Sequence, residues 1–304
     1  MLTAKMLYLG MLVALSLSTG DQELDAIRLN VNLVQLHARV NDSAGHAVSG
    51  LGKEAFALYV DDVPQPITSF RGEDEPVTAG IVIDNSASMA SKREEVIAAA
   101  LAFARASNEN DQMFVVHFSG HPRLGLPQGV NFTGDITELE SAIAAFELGG
   151  TTAYYDAVML AESQLRKGAY PRKVLLTITD GGDNSSQATL AGVLDGALKA
   201  GIVVYSIGIF DAHDYDRNPQ VLSKIAEKTG GEAFFPEQLG DVTRTCVGIA
   251  QDIREQYALG FPGAEDGKYH PIRLTAAGAK NGTLTVHTRS GYVAAKPSEP
   301  VAAK

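Results

Sequence analysis

Apolar residues alternate along Ile27, Leu29, Val31 and Leu33, then change phase to Val34, Leu36, Ala38 and Val40. A period of two marks a strand with one face in a core, and the slip at Leu33-Val34 predicts a bulge or a change of partner strand. Beyond the turn-rich Asp42-Ser43-Ala44-Gly45 and Ser49-Gly50, Phe56, Leu58 and Val60 alternate again. The chain opens as β structure.

Across residues 78–256 the texture becomes short apolar runs separated by amphipathic helical patterns. The runs predict strands over 80–83, 113–118, 174–179 and 203–209, with a shorter one over 233–235. The periodic segments between them predict helices over 91–107, 136–148, 155–167, 187–199, 219–228 and 241–256. Val174-Leu175-Leu176-Thr177-Ile178 shows no polar alternation, as expected of a central strand covered on both faces by helices. The prediction is an α/β fold with a doubly wound, mostly parallel sheet, in which ligands bind beyond the carboxyl ends of the strands. Asp84 and Asp180 sit just past two such ends.

After Gln256 the pattern returns to strands, over 257–261, 270–274 and 283–288. Neither β piece is long enough to enclose its own core, so the two are expected to pair. The expected organisation is an α/β domain (78–256) inserted into a smaller, split, sandwich-like β domain made of 21–77 and 257–296, followed by a loose tail over 297–304. Two independent β modules are the alternative.

Residues 1–20 begin with Met1-Leu2-Thr3-Ala4-Lys5, continue with a short apolar core and end in Ser18-Thr19-Gly20. That is the form of a secretory signal, since a membrane-spanning helix takes roughly 20 apolar residues. The expected location is therefore periplasmic or secreted, with no membrane span after signal cleavage. The cleavage site is not Ala-x-Ala, which leaves an uncleaved anchor open. Composition narrows the partners: the 304 residues carry a net charge of -11 with no basic cluster, which argues against nucleic acid. With one cysteine, Cys246, no intramolecular disulfide can form, and a small buried apolar role is expected for it.

Three loops at predicted strand ends offer oxygen ligands: Asp84-Asn85-Ser86-Ala87-Ser88, Gly149-Gly150-Thr151-Thr152 and Thr179-Asp180-Gly181-Gly182-Asp183. A carboxylate and two hydroxyls from one short turn suit a hard cation such as Mg²⁺. Each loop also has a simpler explanation, with Ser86, Ser88 or Thr152 as helix caps and Asp180-Gly181 as a turn. Capping alone does not account for their joint appearance, in this order, at the ends of alternating strands.

These loops resemble the von Willebrand factor type A family, whose metal-ion-dependent adhesion site joins an Asp-x-Ser-x-Ser loop, a Thr loop and an Asp loop. The resemblance covers roughly residues 78–256. It implies Ser86 and Ser88 as direct ligands, Asp84 and Asp180 as ligands directly or through water, and a threonine. Spacing to Tyr155-Asp156-Ala157 points to Thr152, while Thr151 directly follows the paired glycines. The flanking Pro64-Gln65-Pro66-Ile67-Thr68-Ser69-Phe70, Tyr257-Ala258-Leu259-Gly260-Phe261 and Arg289-Ser290-Gly291-Tyr292 are similar to the exported von Willebrand factor A-related proteins of acidobacteria. Ala87 departs from the glycine of many relatives and leaves the ligand positions intact.

Neutral hydroxyls with few carboxylates leave a cation under-neutralised, and Mg²⁺ takes about six oxygens. A partner's Asp or Glu would complete the set, so the expected function is a non-enzymatic binding or adhesion module for a protein or acidic ligand, with Mn²⁺ or Ca²⁺ as possible substitutes. The competing reading is a metal-dependent phosphatase-like hydrolase, which resembles this chain in having an Asp after the first strand. That family would need an Asp acid and base where this chain has Ser86, and a hydroxyl cannot serve so near neutral pH. No nucleophile, base and orienting acid assemble from the sequence, so no enzymatic activity is expected. His117 and His121 straddle a strand end and read as core or surface residues. Asp211-Ala212-His213-Asp214-Tyr215-Asp216 reads as a solvated loop at the same rim, with a role in partner specificity as the sharper alternative.

Overall fold

The computed structural model describes residues 33–72, 75–145, 148–210, 217–278 and 283–296. The expected leader over 1–20, the alternating stretch before Leu33, the acidic loop 211–216 and the tail 297–304 lie outside the described residues.

The chain runs β1 (Leu33–Asn41), β2 (Phe56–Val60), β3 (Val63–Gln65) and β4 (Ser69–Arg71) before the first central strand, β5 (Thr78–Asp84). It continues α1 (Arg93–Ala106), β6 (Gln112–Phe118), β7 (Arg123–Leu124), α2 (Ile136–Ala144), α3 (Tyr154–Leu165), β8 (Lys173–Thr179) and α4 (Leu190–Ala200). Then come β9 (Ile202–Gly208), α5 (Pro219–Thr229), β10 (Ala233–Phe234), α6 (Leu239–Arg254), β11 (Tyr257–Pro262), β12 (Tyr269–Ala276), β13 (Thr285–Thr288) and β14 (Gly291–Val293).

Six strands form the central sheet in the order β10-β9-β8-β5-β6-β7. Every pairing is parallel except that of β6 with the short edge strand β7. All seven residues of β5 and of β9 are buried, which is why these runs show no polar alternation. Helix α1 packs on α6 and α2, while α3 packs on α4 and α4 on α5, so the helices cover the sheet in two groups. The result is the doubly wound α/β architecture that the pattern predicts.

The strands on either side of this unit form two four-stranded sheets, β13-β1-β11-β4 and β14-β12-β2-β3. Val34, Leu36, Ala38 and Val40 of β1 turn inward, as do Phe56, Leu58 and Val60 of β2, and they share one core with Tyr257, Leu259, Phe261 and Leu274. In β1 and β11, Leu36 stands opposite Leu259, so chain entering the α/β unit pairs with chain leaving it. Arg39 of β1 ties the two parts by bonding Glu232 at 2.6 Å and Asp252 of α6.

Some element limits differ from the pattern. Residues Ala87–Lys92 form a 3-10 turn, closed by Met89 N–H to Ser86 O, and regular α-helix starts only at Arg93. Helix α2 stops at Ala144: Ala145 still donates its N–H to the Ser141 carbonyl, but its ψ of 75° leaves the helical region. Strand β7 has two residues, too few to register as a pattern.

Candidate metal centre

Strand β5 lies between β6 and β8, with Asp84 opposite Phe118 and Ile83 opposite Ile178. That register places the ends of β5 and β8 side by side. Thr179, the last residue of β8, donates its hydroxyl to Asp84 Oδ2 at 2.6 Å, and the other Asp84 oxygen accepts the Ser86 N–H at 2.9 Å. Ser88 Oγ donates to Asp180 Oδ2 at 2.6 Å and stands 3.1 Å from Ser86 Oγ. Since a carboxylate only accepts, Ser88 spends its proton on Asp180 and receives one from Ser86. Asp84, Ser86, Ser88 and Asp180 are thus brought into one hydrogen-bonded cluster.

The Gly149–Thr152 loop reaches the same edge of the sheet through backbone bonds at both ends. Gly149 N–H donates to Asn85 O at 2.9 Å, and Ala153 N–H donates to Ser119 O at 2.8 Å. Gly149 and Gly150 take φ of +118° and +87°, a region that favours glycine. Thr152 is buried and tied to the third loop: its N–H donates to Asn184 Oδ1 at 2.9 Å, and its carbonyl accepts from Asn184 N–H and Ser185 N–H. Thr151 is exposed, and its hydroxyl lies against Gly120, where an added Cβ would stand 2.9 Å away.

The simpler explanations of these residues can be checked against the geometry. Ser86 occupies the N-cap position of the 3-10 turn without a side-chain capping bond, and α1 starts after Lys92 with none. Helix α3 is preceded by Ala153, so Thr152 does not cap it either. Asp180 does make a turn: its Oδ1 accepts the Gly182 N–H at 2.9 Å while Gly181 takes φ +78°. Asp183, in the same loop, is committed to α3, accepting from Tyr155 N–H at 2.9 Å and Ser186 Oγ at 2.6 Å.

Electrostatics show what the cluster lacks. Asp84 and Asp180 are each 2% exposed, and among the described residues neither forms an ion pair with a basic side chain. Burial pushes the Asp84 carboxyl up to about 6, against the hydrogen bonds from Ser86 and Thr179, and the charge of Asp180 adds to the rise. Buried carboxylates are ordinarily paired or coordinate a metal. The donor set of carboxylates and hydroxyls suits a hard cation, so the residues present fit a Mg²⁺-type ion. Among the described residues no group of three or more His, Cys, Asp or Glu side chains is arranged to hold a metal ion, here or elsewhere, so the fit rests on hydroxyls together with the two carboxylates.

Three neighbours of the site carry roles that the sequence reading does not assign. Thr179 holds Asp84 and also accepts the Gly181 N–H at 3.0 Å. Asn184 fastens the threonine loop, and Asn85 braces the strand ends by donating to His117 Nδ1 at 3.1 Å. His117 Nε2 in turn donates to the Ala142 carbonyl at 2.7 Å, which fixes its tautomer and marks it as a core residue; burial holds its pKa down. A hydroxyl or amide at the end of an apolar run was the available signal, although each partner lies tens of residues away. His121 is exposed, and Cys246 is fully buried in the core, its thiol pushed up to about 12.

An open, mostly parallel sheet with carboxylates and hydroxyls gathered at its carboxyl edge defines a doubly wound α/β domain. Residues 80–251 match the family model of the von Willebrand factor type A domain, and the chain belongs to that family. Among solved structures, a von Willebrand factor type A protein from Catenulispora acidiphila is similar, with TM-score 0.54 and 16% identity over 89% of this chain and 76% of that one. The vWF domain of the type V pili tip protein Mfa5 from Porphyromonas gingivalis matches 60% of this chain and 96% of its own, with TM-score 0.50 and 14% identity. Proximal thread matrix protein 1 of the mussel byssus matches 62% of this chain and 49% of its own, with TM-score 0.51 and 15% identity. These likenesses establish the fold. No curated protein sequence matches the chain.

Proposed function

We propose that this protein is an exported, non-enzymatic binding module that engages a protein or acidic ligand through a divalent cation held by Asp84, Ser86, Ser88, Thr152 and Asp180. The observation that carries the proposal is the pair of buried carboxylates, Asp84 and Asp180, without a basic partner among the described residues and joined to hydroxyls that cap no helix. Von Willebrand factor type A domains are generally interaction modules, and a pilus-tip protein among the structural neighbours is in keeping with an adhesive role. Among the described residues no helix is long and apolar enough to cross a membrane.

The residues divide the work. Thr179 and the Ser86 N–H orient Asp84, and Gly182 N–H orients Asp180, so both carboxylates are set before any ligand arrives. Ser86 and Ser88 present neutral oxygens. The burial of Thr152 and its link to Asn184 favour it over the exposed Thr151 as the fifth ligand. Mg²⁺ is the favoured ion on ligand hardness, with Mn²⁺ or Ca²⁺ as substitutes, and when bound it supplies an open coordination position for an incoming carboxylate. The phosphatase-like alternative gains no support, because the position where it needs an Asp acid and base is Ser86, whose Oγ is engaged with Ser88.

Acetate is the simplest probe of that position. By NMR, acetate is expected to perturb the Asp84, Ser86 and Thr152 loops only with Mg²⁺ present, and a phosphomonoester screen is expected to give no metal-dependent turnover. Acetate perturbations that are the same with and without Mg²⁺ contradict the proposal, as does turnover abolished by Asp84→Asn.

A further inference from the structure

A cleft of about 450 Å³ opens directly beside the candidate metal centre. Its walls include Asn85, Ser119, His121, Arg123 and Thr151, with His117 at its base. Two of these adjoin metal-site residues in the chain, since Asn85 separates Asp84 from Ser86 and Thr151 precedes Thr152. The cleft is therefore a neighbour of the proposed cation site, within reach of a segment bound there. A somewhat larger cleft, about 490 Å³, is lined by Gly201, Pro171 and Arg289 at the opposite, amino ends of the strands, away from this chemistry.

The charge of the cleft is unlike that of the protein. Among the described residues no carboxylate lines it, although the chain carries 36 acidic residues against 25 basic ones. Several arginines elsewhere are engaged by acids, as Arg39 is by Glu232 and Asp252, Arg105 by Glu140 and Arg273 by Asp62, while the buried Arg172 and Arg289 bond carbonyl oxygens of Ile253 and Gln35. Arg123 and His121 are exposed and have no acidic partner among the described residues. Arg123 stands opposite His117 in the β6–β7 pair, and its charge is felt at the His117 ring in the cleft base. Ser119 and Thr151 add hydroxyls at the rim. The Asn85 amide oxygen is buried without a partner, an acceptor suited to a peptide N–H.

We infer that this cleft receives a second acidic side chain from the same partner segment whose first carboxylate completes the cation's coordination. The partner is thus a peptide segment with two nearby carboxylates, one for the metal and one for Arg123 and His121. This rests on the metal reading above and adds the partner's chemistry to it. An unpaired, exposed guanidinium attracts a carboxylate with bidentate geometry, and such charge complementarity acts chiefly on partner choice.

The test uses the full chain at saturating Mg²⁺ and blocked glycine-rich peptides containing one Asp, or two Asp residues at spacings of one to three. For the best spacing, wild type is expected to bind the two-acid peptide about tenfold more tightly than the one-acid peptide, and Arg123→Gln is expected to reduce that advantage to about threefold or less. An equal advantage in both proteins overturns the inference, as does the absence of any two-acid preference in wild type. Failure of wild type to bind Mg²⁺ at all overturns the metal reading and this inference with it. Mg²⁺ binding without two-acid preference overturns this inference alone.

Discussion

Glu162 of α3 is the most consequential buried acid outside the candidate metal centre. It is fully buried, both of its oxygens lack a hydrogen-bond partner, and the nearest base is Arg166 at 3.7 Å, itself about half exposed. Gly196 of α4 packs against it so closely that an added Cβ would stand 2.0 Å from Oε2. Burial pushes its pKa from 4.5 up to about 8, with Arg166 opposing the rise and Asp195 adding to it. The folded state therefore holds a proton that the unfolded chain has released, so stability is greatest below about pH 4.5 and falls as pH rises towards 8. At about 1.4 kcal/mol per pH unit, the loss reaches up to about 5 kcal/mol. Glu162→Gln removes this dependence while keeping shape. Urea unfolding of both proteins from pH 5 to 9 measures it, and the other titrating groups cancel in the difference. The variant is expected to gain several kcal/mol on wild type between pH 5 and 8. Parallel stability profiles would show that Glu162 is charged in the fold and refute the reasoning.

The junction and the histidines give further tests. Arg39→Ala strips Glu232 and the partly buried Asp252 of their shared cation and is expected to cost about 2 kcal/mol in urea unfolding, discounted for the exposure of Glu232; no change would show that the bridge between β1 and α6 is incidental. In NMR titrations His270, held by Asp61 and Asp266, is expected to titrate above the ordinary histidine value, and Asp61→Asn is expected to bring it down. Its stabilising contribution is complete below about pH 6.5 and fades as pH rises through the folded value. His37, by contrast, is expected to stay neutral to about pH 3, because burial and then the charges of Arg172 and Arg289 disfavour its protonation.

The strands that carry the site were legible because burial on both faces leaves an unmistakable mark, as in Val174–Ile178, and because a polar residue must follow where such a run leaves the sheet. Asp84, Ser86, Ser88 and Asp180 stood out for that reason. What joins them was not legible. The Thr179 bond to Asp84 spans 95 positions, and those of Asn85 to His117 and Thr152 to Asn184 span 32 each, distances over which no local pattern operates. Helix propensity also ran past the actual start of α1, because the Ser86 to Lys92 segment gives up regular helix to shape the site as a 3-10 turn. The cleft that carries Arg123 was illegible for the same reason, since Arg123 joins it only through a two-residue edge strand.

Cation binding by Asp84 and Asp180 is the property on which the proposed function depends. Calorimetric titration of the protein with Mg²⁺, beside Asp84→Ala and Ser88→Ala, measures it directly. Wild type is expected to bind one equivalent, Asp84→Ala to lose binding, and Ser88→Ala to weaken it by about tenfold or more, the loss of about one ligand contact. If wild type and Asp84→Ala take up Mg²⁺ equally, or neither takes it up, Asp84 and Asp180 are not a cation site and the central claim is wrong.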